Sequence, residues 1–271
     1  MLKCQVIMDA MEKIAPKRLA EEWDNPGLLI GSPAAEIHKV LVCLDVSEGV
    51  ADRAIREGFD MIIAHHPVIF RAMKNLRTDL PQGRLVARLV RAGIAVFAAH
   101  TNLDIAAGGV NDVLAERIGL VEVKAFAPEA KGEEMAIESL GRIGRLPEPV
   151  TVDEFAGKVR DNLAAGYVRL VRAGDRLIKK VALCSGAGAE FISKAAFLGA
   201  DVYVTGDVKY HDAQQAFMQG MHVVDAGHFP TEYPVVPVLA ERLKELLAKA
   251  KGGVEIDIDK KSHDFFEVIS V

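Results

Sequence analysis

Long apolar runs are missing from this sequence: nowhere do ~18 apolar residues follow one another, which is what a membrane-crossing helix needs. Basic blocks are missing too. The 33 Lys and Arg are outnumbered by 38 Asp and Glu, for a formal net charge of -5. That balance argues against a broad nucleic-acid-binding face, while leaving a local patch open. Cysteine is scarce, with Cys4, Cys43 and Cys184 isolated and none in CxxC spacing. Disulfides are therefore not expected to hold the fold, and a reducing cytoplasm is the expected home. The opening stretch MLKCQVIMDAMEKIAP alternates apolar and charged residues. It reads as an amphipathic helix and lacks the continuous apolar core of a signal peptide.

What is present is an alternation of strand and helix periods over 271 residues, half of them hydrophobic, enough for one large or two modest cores. In the first half, KVLVCLDV (39–46), DMIIAHH (60–66) and IAVFAAH (94–100) read as strands. Between and after them, EGVADRAIREG (48–58), GRLVARLVRAG (83–93) and GGVNDVLAERIGL (108–120) read as helices. The second half repeats the order, with strands KKVALCSG (179–186), ADVYVTGD (200–207) and MHVVDAG (221–227). Its helices are EFISKAAFLG (190–199), YHDAQQAFMQG (210–220) and VVPVLAERLKELLAKA (235–250).

An offset of 141 residues places Val40 on Val181, Cys43 on Cys184, Gly58 on Gly199 and Asp60 on Asp201; an offset of 127 places Gly93 on Gly220 and Ala99 on Ala226. Matched glycines closing matched helices point to an internal duplication, although βαβ units in general look alike. The expected fold is α/β, with two intertwined lobes, each a mostly parallel mixed sheet flanked by helices. The expected boundaries are 1–125 and 126–251, with strands in 252–271 returning to the first lobe. Thr151 with Glu154 forms a capping box opening a helix, GYVRLV (166–171) is a short strand, and 71–83 is an excursion between the halves' shared elements.

Ligands of parallel α/β sheets collect beyond the carboxyl ends of the strands. Here those ends carry His65 and His66, then His100, Thr101 and Asp104, then Asp207 and His211, then His228 and Glu232. Imidazoles with carboxylates, and no cysteine, suit Zn, Mn, Fe or Ni ahead of Ca or Mg. His65, His66, Asp104, His228 and Glu232 could supply two ions lying ~3.5–4 Å apart. Neighbours in an extended chain point in opposite directions, so the two histidines are expected to serve different ions. His228 and Glu232 have helical spacing, but Pro230 and Pro234 argue for a shaped loop there.

Taken together, EEWDNPGLLIG, IIAHHPVIF, AAHTNLDIAAGGVNDVLAERIGL, VALCSGAG, DVYVTGDVKYHDAQQA and DAGHFPTEYPVV resemble the GTP cyclohydrolase I type 2 homologues, the NIF-three-like dinuclear metal-binding proteins. The resemblance runs from about residue 6 to the end of the chain. It implies two divalent ions on His65, His66, Asp104, His228 and Glu232, with Glu232 bridging, two intertwined lobes, and a ring-shaped homohexamer. Ser185 stands in CSGAG where the family more commonly has glycine.

Other signals carry paired readings. His100 either supports Asp104 or a water, or is a core residue; His211 is either a proton shuttle or a solvated residue at a helix start. CSGAG and AAGGVND are phosphate-cradling turns or simply tight turns. Trp23, the sole tryptophan, stacks a base or makes a packing or subunit contact. The expected function is a metal-dependent hydrolase of a small phosphorylated or nucleotide-like substrate, of GTP cyclohydrolase type by resemblance. The alternatives are a metal-stabilised scaffold binding a protein or single-stranded nucleic acid without turnover, and metal storage. No membrane partner is expected.

Overall fold

A buried parallel strand needs apolar side chains on both faces, and the three central strands of each half supply them. In the computed structural model, which describes residues 1–126 and 139–269, Met61–Ala64 and Ala95–Ala98 are buried at every position. So are Val202–Thr205 and His222–Asp225. The chain is α/β and divides into two units, Met1–Gly109 with Val236–Ser262, and Val110–Val235 with His263–Val271.

The first unit holds a five-stranded sheet in the order Glu255–Ile258, Lys39–Cys43, Met61–Ala64, Ala95–Ala98, Gly27–Ile30. The first four strands run parallel and Gly27–Ile30 is antiparallel to its neighbour. Helices Glu48–Glu57 and Pro81–Arg91 make the crossovers. Ser47 caps the former by accepting from Val50 N, and Gly58 ends it in the left-handed region at φ 69, a conformation glycine adopts without Cβ strain. Leu41, Ile62, Val96 and Leu89 anchor this core; burying each stabilises by roughly 1.5–3 kcal/mol. The stretch 2–14 is mainly the amphipathic helix Cys4–Ile14, preceded by a two-residue strand.

The second unit holds a six-stranded sheet in the order Val121–Ala125, Arg142–Val150, Ile178–Leu183, Val202–Thr205, His222–Asp225, Arg169–Val171. Its three parallel strands are flanked by antiparallel ones. Two of these were not expected from sequence. Val121–Ala125 is almost wholly exposed, and Arg142–Val150 carries Pro147 and Pro149; prolines belong at the end of a strand where no ladder hydrogen bond is asked of them. The capping box at Thr151 and Glu154 is present.

The two units share more than topology. In the first, Asp60 accepts hydrogen bonds from the amides of His38 and Lys39, and its own N–H donates to Lys39 O. In the second, Asp201 accepts from Lys179 N and Lys180 N and donates to Lys180 O. The offset is again 141. Of the strands expected in 252–271, Glu255–Ile258 pairs with Lys39–Cys43. Residues 264–269 form no strand, and 270–271, like 127–138, lie outside the described residues.

Candidate metal centre

Strand Met61–Ala64 stops immediately before the histidine pair. Past a strand end the alternation of side chains lapses, and the expectation that His65 and His66 point apart does not hold. Their ring centroids lie 4.8 Å apart. His100, just before the five-residue helix Thr101–Ile105, joins them at 5.3 Å from His65 and 5.7 Å from His66. One nitrogen from each of these three rings falls within 4.8 Å of the others, a group that could hold a metal ion. Asp104, the fourth residue of that helix, brings Oδ1 to 3.6 Å from His65 Nε2. Both His65 and Asp104 are buried.

Each ring is held by its Nδ1. That of His65 meets Ala99 O at 2.9 Å, that of His66 meets Asp45 Oδ1 at 2.8 Å, and that of His100 meets Asp24 Oδ1 at 2.8 Å. An imidazole whose Nδ1–H donates to such an acceptor presents Nε2 as the ligating atom, which is the usual outer support of a metal-bound histidine. Asp24 also accepts from Thr101 N at 3.0 Å and from Thr101 Oγ1. Burial alone would raise its carboxyl, but the hydrogen bonds from His100 and Thr101 and the charge of His100 outweigh that and bring it down to about 2. Asp24 is ionised at neutral pH.

In the second unit, His228 and Glu232 are the first and last residues of another five-residue helix. The shaped loop expected from Pro230 is thus a helical turn. Pro230 is its third residue, where a backbone N–H would have no partner within the helix. Four-residue spacing then places His228 Nε2 3.0 Å from Glu232 Oε2. His228 Nδ1 is held by Asp207 Oδ2 at 2.7 Å, repeating the support seen in the first unit. Asp207 sits in the left-handed region at φ 54, a conformation costing a non-glycine residue about 1–3 kcal/mol.

The CSGAG turn is packed against this pair. Gly186, at φ +58, would place a Cβ 2.2 Å from Glu232 Oε1 and 3.2 Å from His228 Cε1, so glycine is what lets the carboxylate approach. Three of the turn's amides are engaged within the protein. Ser185 N donates to Asn111 Oδ1, Gly186 N to Thr231 Oγ1 and Gly188 N to Thr205 Oγ1. It is a tight turn supporting Glu232, and the amides of Ser185, Gly186 and Gly188 are taken up by protein acceptors.

His211 stands apart from these groups, exposed on helix Tyr210–Met218, with Nδ1 3.4 Å from Gln214 Oε1. Asp45 and Asp24 were not assigned roles from the sequence. Asp45 lies two residues after strand Lys39–Cys43 ends, as Asp207 lies two after Val202–Thr205, and a carboxylate near a strand end was the available signal.

An α/β frame whose strand ends carry clustered imidazoles and carboxylates defines a class of protein with groups that could hold a metal ion. The chain matches the family described as Duf34/NIF3 (NGG1p interacting factor 3) over residues 2–264 and belongs to it. It is 34% identical over 268 residues to the GTP cyclohydrolase 1 type 2 homolog of Clostridium perfringens, covering 99% of this chain and 100% of that one. The homolog from Lactococcus lactis is also 34% identical, with 98% and 100% covered. Among solved structures, a Bacillus cereus protein related to NIF3 superposes with a TM-score of 0.92 at 30% identity, over 99% of each chain. Among the described residues, no helix is long and apolar enough to cross a membrane.

Proposed function

We propose that this protein binds two divalent transition-metal ions (Zn, Mn, Fe or Ni) and hydrolyses a small phosphorylated or nucleotide-like substrate. The observation that carries the reading is the uniform support of Nδ1 in His65, His66 and His228 by a carbonyl or carboxylate, which leaves Nε2 as the ligating atom in each. The proposed ligands are His65, His66, Asp104, His228 and Glu232, with Glu232 bridging, in keeping with the family resemblance. Ions held by these residues would supply Lewis-acid polarisation of the reacting centre and acidify a water. Asp24, ionised, fixes His100 in the tautomer whose Nε2 can accept a proton. Asp45 and Asp207 hold the rings of His66 and His228 against rotation. The GTP cyclohydrolase name of the relatives makes purine nucleotides the first substrates to try. A homohexameric ring belongs to the same reading.

A scaffold that uses metal only for stability is favoured by one feature of the second unit. Phe197, Tyr210, Phe217 and Met218 stand 89%, 77%, 61% and 78% exposed on two helices, a surface suited to a partner protein. Elemental analysis of protein purified without chelators separates these possibilities. About two ions per chain, lost in His65→Ala/His66→Ala and reduced in His228→Ala, are expected, together with turnover of a nucleotide or phosphate ester. Metal without turnover across a broad substrate panel would favour the scaffold. Absence of metal after reconstitution with excess Zn, Mn and Fe would sink both.

A further inference from the structure

Beside Phe70, whose ring lies 6.0 Å from that of His100, the excursion 71–83 lines an open-sided cavity of about 420 Å³, within the ~300–1,000 Å³ range of small-molecule sites. Its lining includes Phe70, Arg71, Lys74, Asn75, Arg77 and Gln82 and no carboxylate, although the whole chain carries a net charge of -5. Arg77 is taken up by a two-pronged contact with Asp79. Arg71 and Lys74 have no carboxylate partner among the described residues. The excursion is a built structure. Asn25 Nδ2 donates to Ile69 O at 2.6 Å and Gln82 Nε2 to Val68 O at 3.3 Å. A Cβ on Gly83 would come within 2.0 Å of Arg77 O, so the loop lies tight on the start of helix Pro81–Arg91.

Phe70 lines the cavity, and the Trp23 ring stands beside it; both are exposed. Trp23 is 59% and Phe70 41% exposed. Their centroids are 5.9 Å apart at 74°, and each lies about 6 Å from the His100 ring, at 6.1 and 6.0 Å. The three rings meet at steep angles of 74–88°, so none is stacked on another. Exposed aromatic surface beside unpaired cations suits a planar ring bearing an anionic group: the faces take the ring by stacking, and the cations take the anion.

We infer that Trp23 and Phe70, with Arg71 and Lys74, form the recognition pocket for a planar heteroaromatic ligand carrying a phosphate. The ring lies against the aromatic corner beside His100, and the phosphate reaches Arg71 and Lys74. This deepens the hydrolase reading and rests on it for calling the ligand a substrate.

The sole tryptophan reports on the pocket directly. The full-length, as-purified protein is titrated with AMP and GMP, with guanosine and inorganic phosphate as the separated halves, while Trp23 emission is followed. Saturable quenching by a nucleotide is expected, with guanosine weaker. Arg71→Ala/Lys74→Ala should raise the half-saturation concentration by about tenfold or more, the loss of a charge-assisted hydrogen bond. Both side chains are exposed, so the variant should fold and keep its metal content. Trp23→Phe, followed by calorimetry, should weaken binding by less than the double variant. No change in emission with either nucleotide, or unchanged binding by the double variant, overturns the inference. Protein that takes up no metal on reconstitution yet binds nucleotide through Arg71 and Lys74 sinks the hydrolase reading and leaves the pocket standing; metal-loaded protein blind to nucleotide does the reverse.

Discussion

Strand Met61–Ala64 of the first unit and strand Val202–Thr205 of the second occupy the same place in duplicated frames, yet the residues that follow differ in kind. At the 141-residue offset, His65 falls on Gly206 and His66 on Asp207. The carboxylate holding His66 is Asp45, whose counterpart is Gly186. One unit thus places imidazole at the strand end and carboxylate on the neighbouring turn. The other places carboxylate at the strand end and glycine on the turn. The short helices after the third parallel strand are offset by 127 at both ends, Thr101–Ile105 against His228–Glu232. The first presents Asp104, the second His228 and Glu232. The backbone supports, Asp60 and Asp201 among them, stand at matched positions, while the imidazoles and carboxylates at the strand ends do not. A frame of that kind can change its metal chemistry without changing its fold.

The largest effect is expected at Gly186. Gly186→Ala drives a methyl into the Glu232 carboxylate, 2.2 Å away at its Oε1. Metal affinity, read by chelator competition, should fall on the order of tenfold to a hundredfold, as when a supporting contact of a ligand is lost. Gly199→Ala supplies the comparison. It has a similar φ of +70, but only Lys180 Nζ, at 3.9 Å, lies near its new Cβ. Both variants should lose about 1–3 kcal/mol of stability from left-handed strain, and only Gly186→Ala should lose metal. Equal metal loss in the two would mean that the approach of Glu232 is not what Gly186 permits.

The parallel strands, their crossover helices, the duplication and the capping box were legible because each rests on a local pattern: apolar runs, helical spacing closed by glycine, and Thr151 three residues before Glu154. The edge strand Val121–Ala125 was not legible, since its side chains face water and carry no burial pattern. Arg142–Val150 was hidden by its prolines. His65, His66, Asp104, His228 and Glu232 could be gathered as candidate ligands because strand ends are predictable places. Their supports could not all be collected. Asp24 reaches His100 across 76 residues of sequence, and nothing local to EEWDNPG announces that contact. The turn at His228 was misjudged because proline was weighed as a helix breaker, when in a first turn it costs little.

A middle-sized effect tests the shared backbone support. Asp60→Ala and Asp201→Ala each leave two backbone amides without their carboxylate acceptor. Each should cost about 1–2 kcal/mol, because water can replace part of the lost contact. Chemical denaturation of the two variants should show similar losses. A difference above about 1 kcal/mol would break the equivalence of the units and assign the support to one of them.

The smallest effect sharpens the comparison through a residue that only one unit has. His222 is buried in the second sheet, and its 127-residue counterpart in the first is Ala95. Burial, reinforced by the charges of Arg176 and Arg172 and opposed by Asp201, lowers the His222 pKa from 6.5. Ala173 N donates to its Nδ1 at 3.2 Å, which also favours the neutral ring. With the folded-state pKa below the unfolded one, the unfolded chain takes up the proton first as acid is added. Stability from the neutral ring is complete above about pH 6.5 and declines as pH falls toward the folded-state value. Metal-stripped protein, in which ligand protonation no longer competes with ion release, should therefore melt at lower temperature at about pH 5.5 than at about pH 7.5. His222→Gln, which keeps an acceptor for Ala173 N and removes the titrating group, should flatten that slope. A slope unchanged in His222→Gln would place the acid sensitivity in groups the two units share.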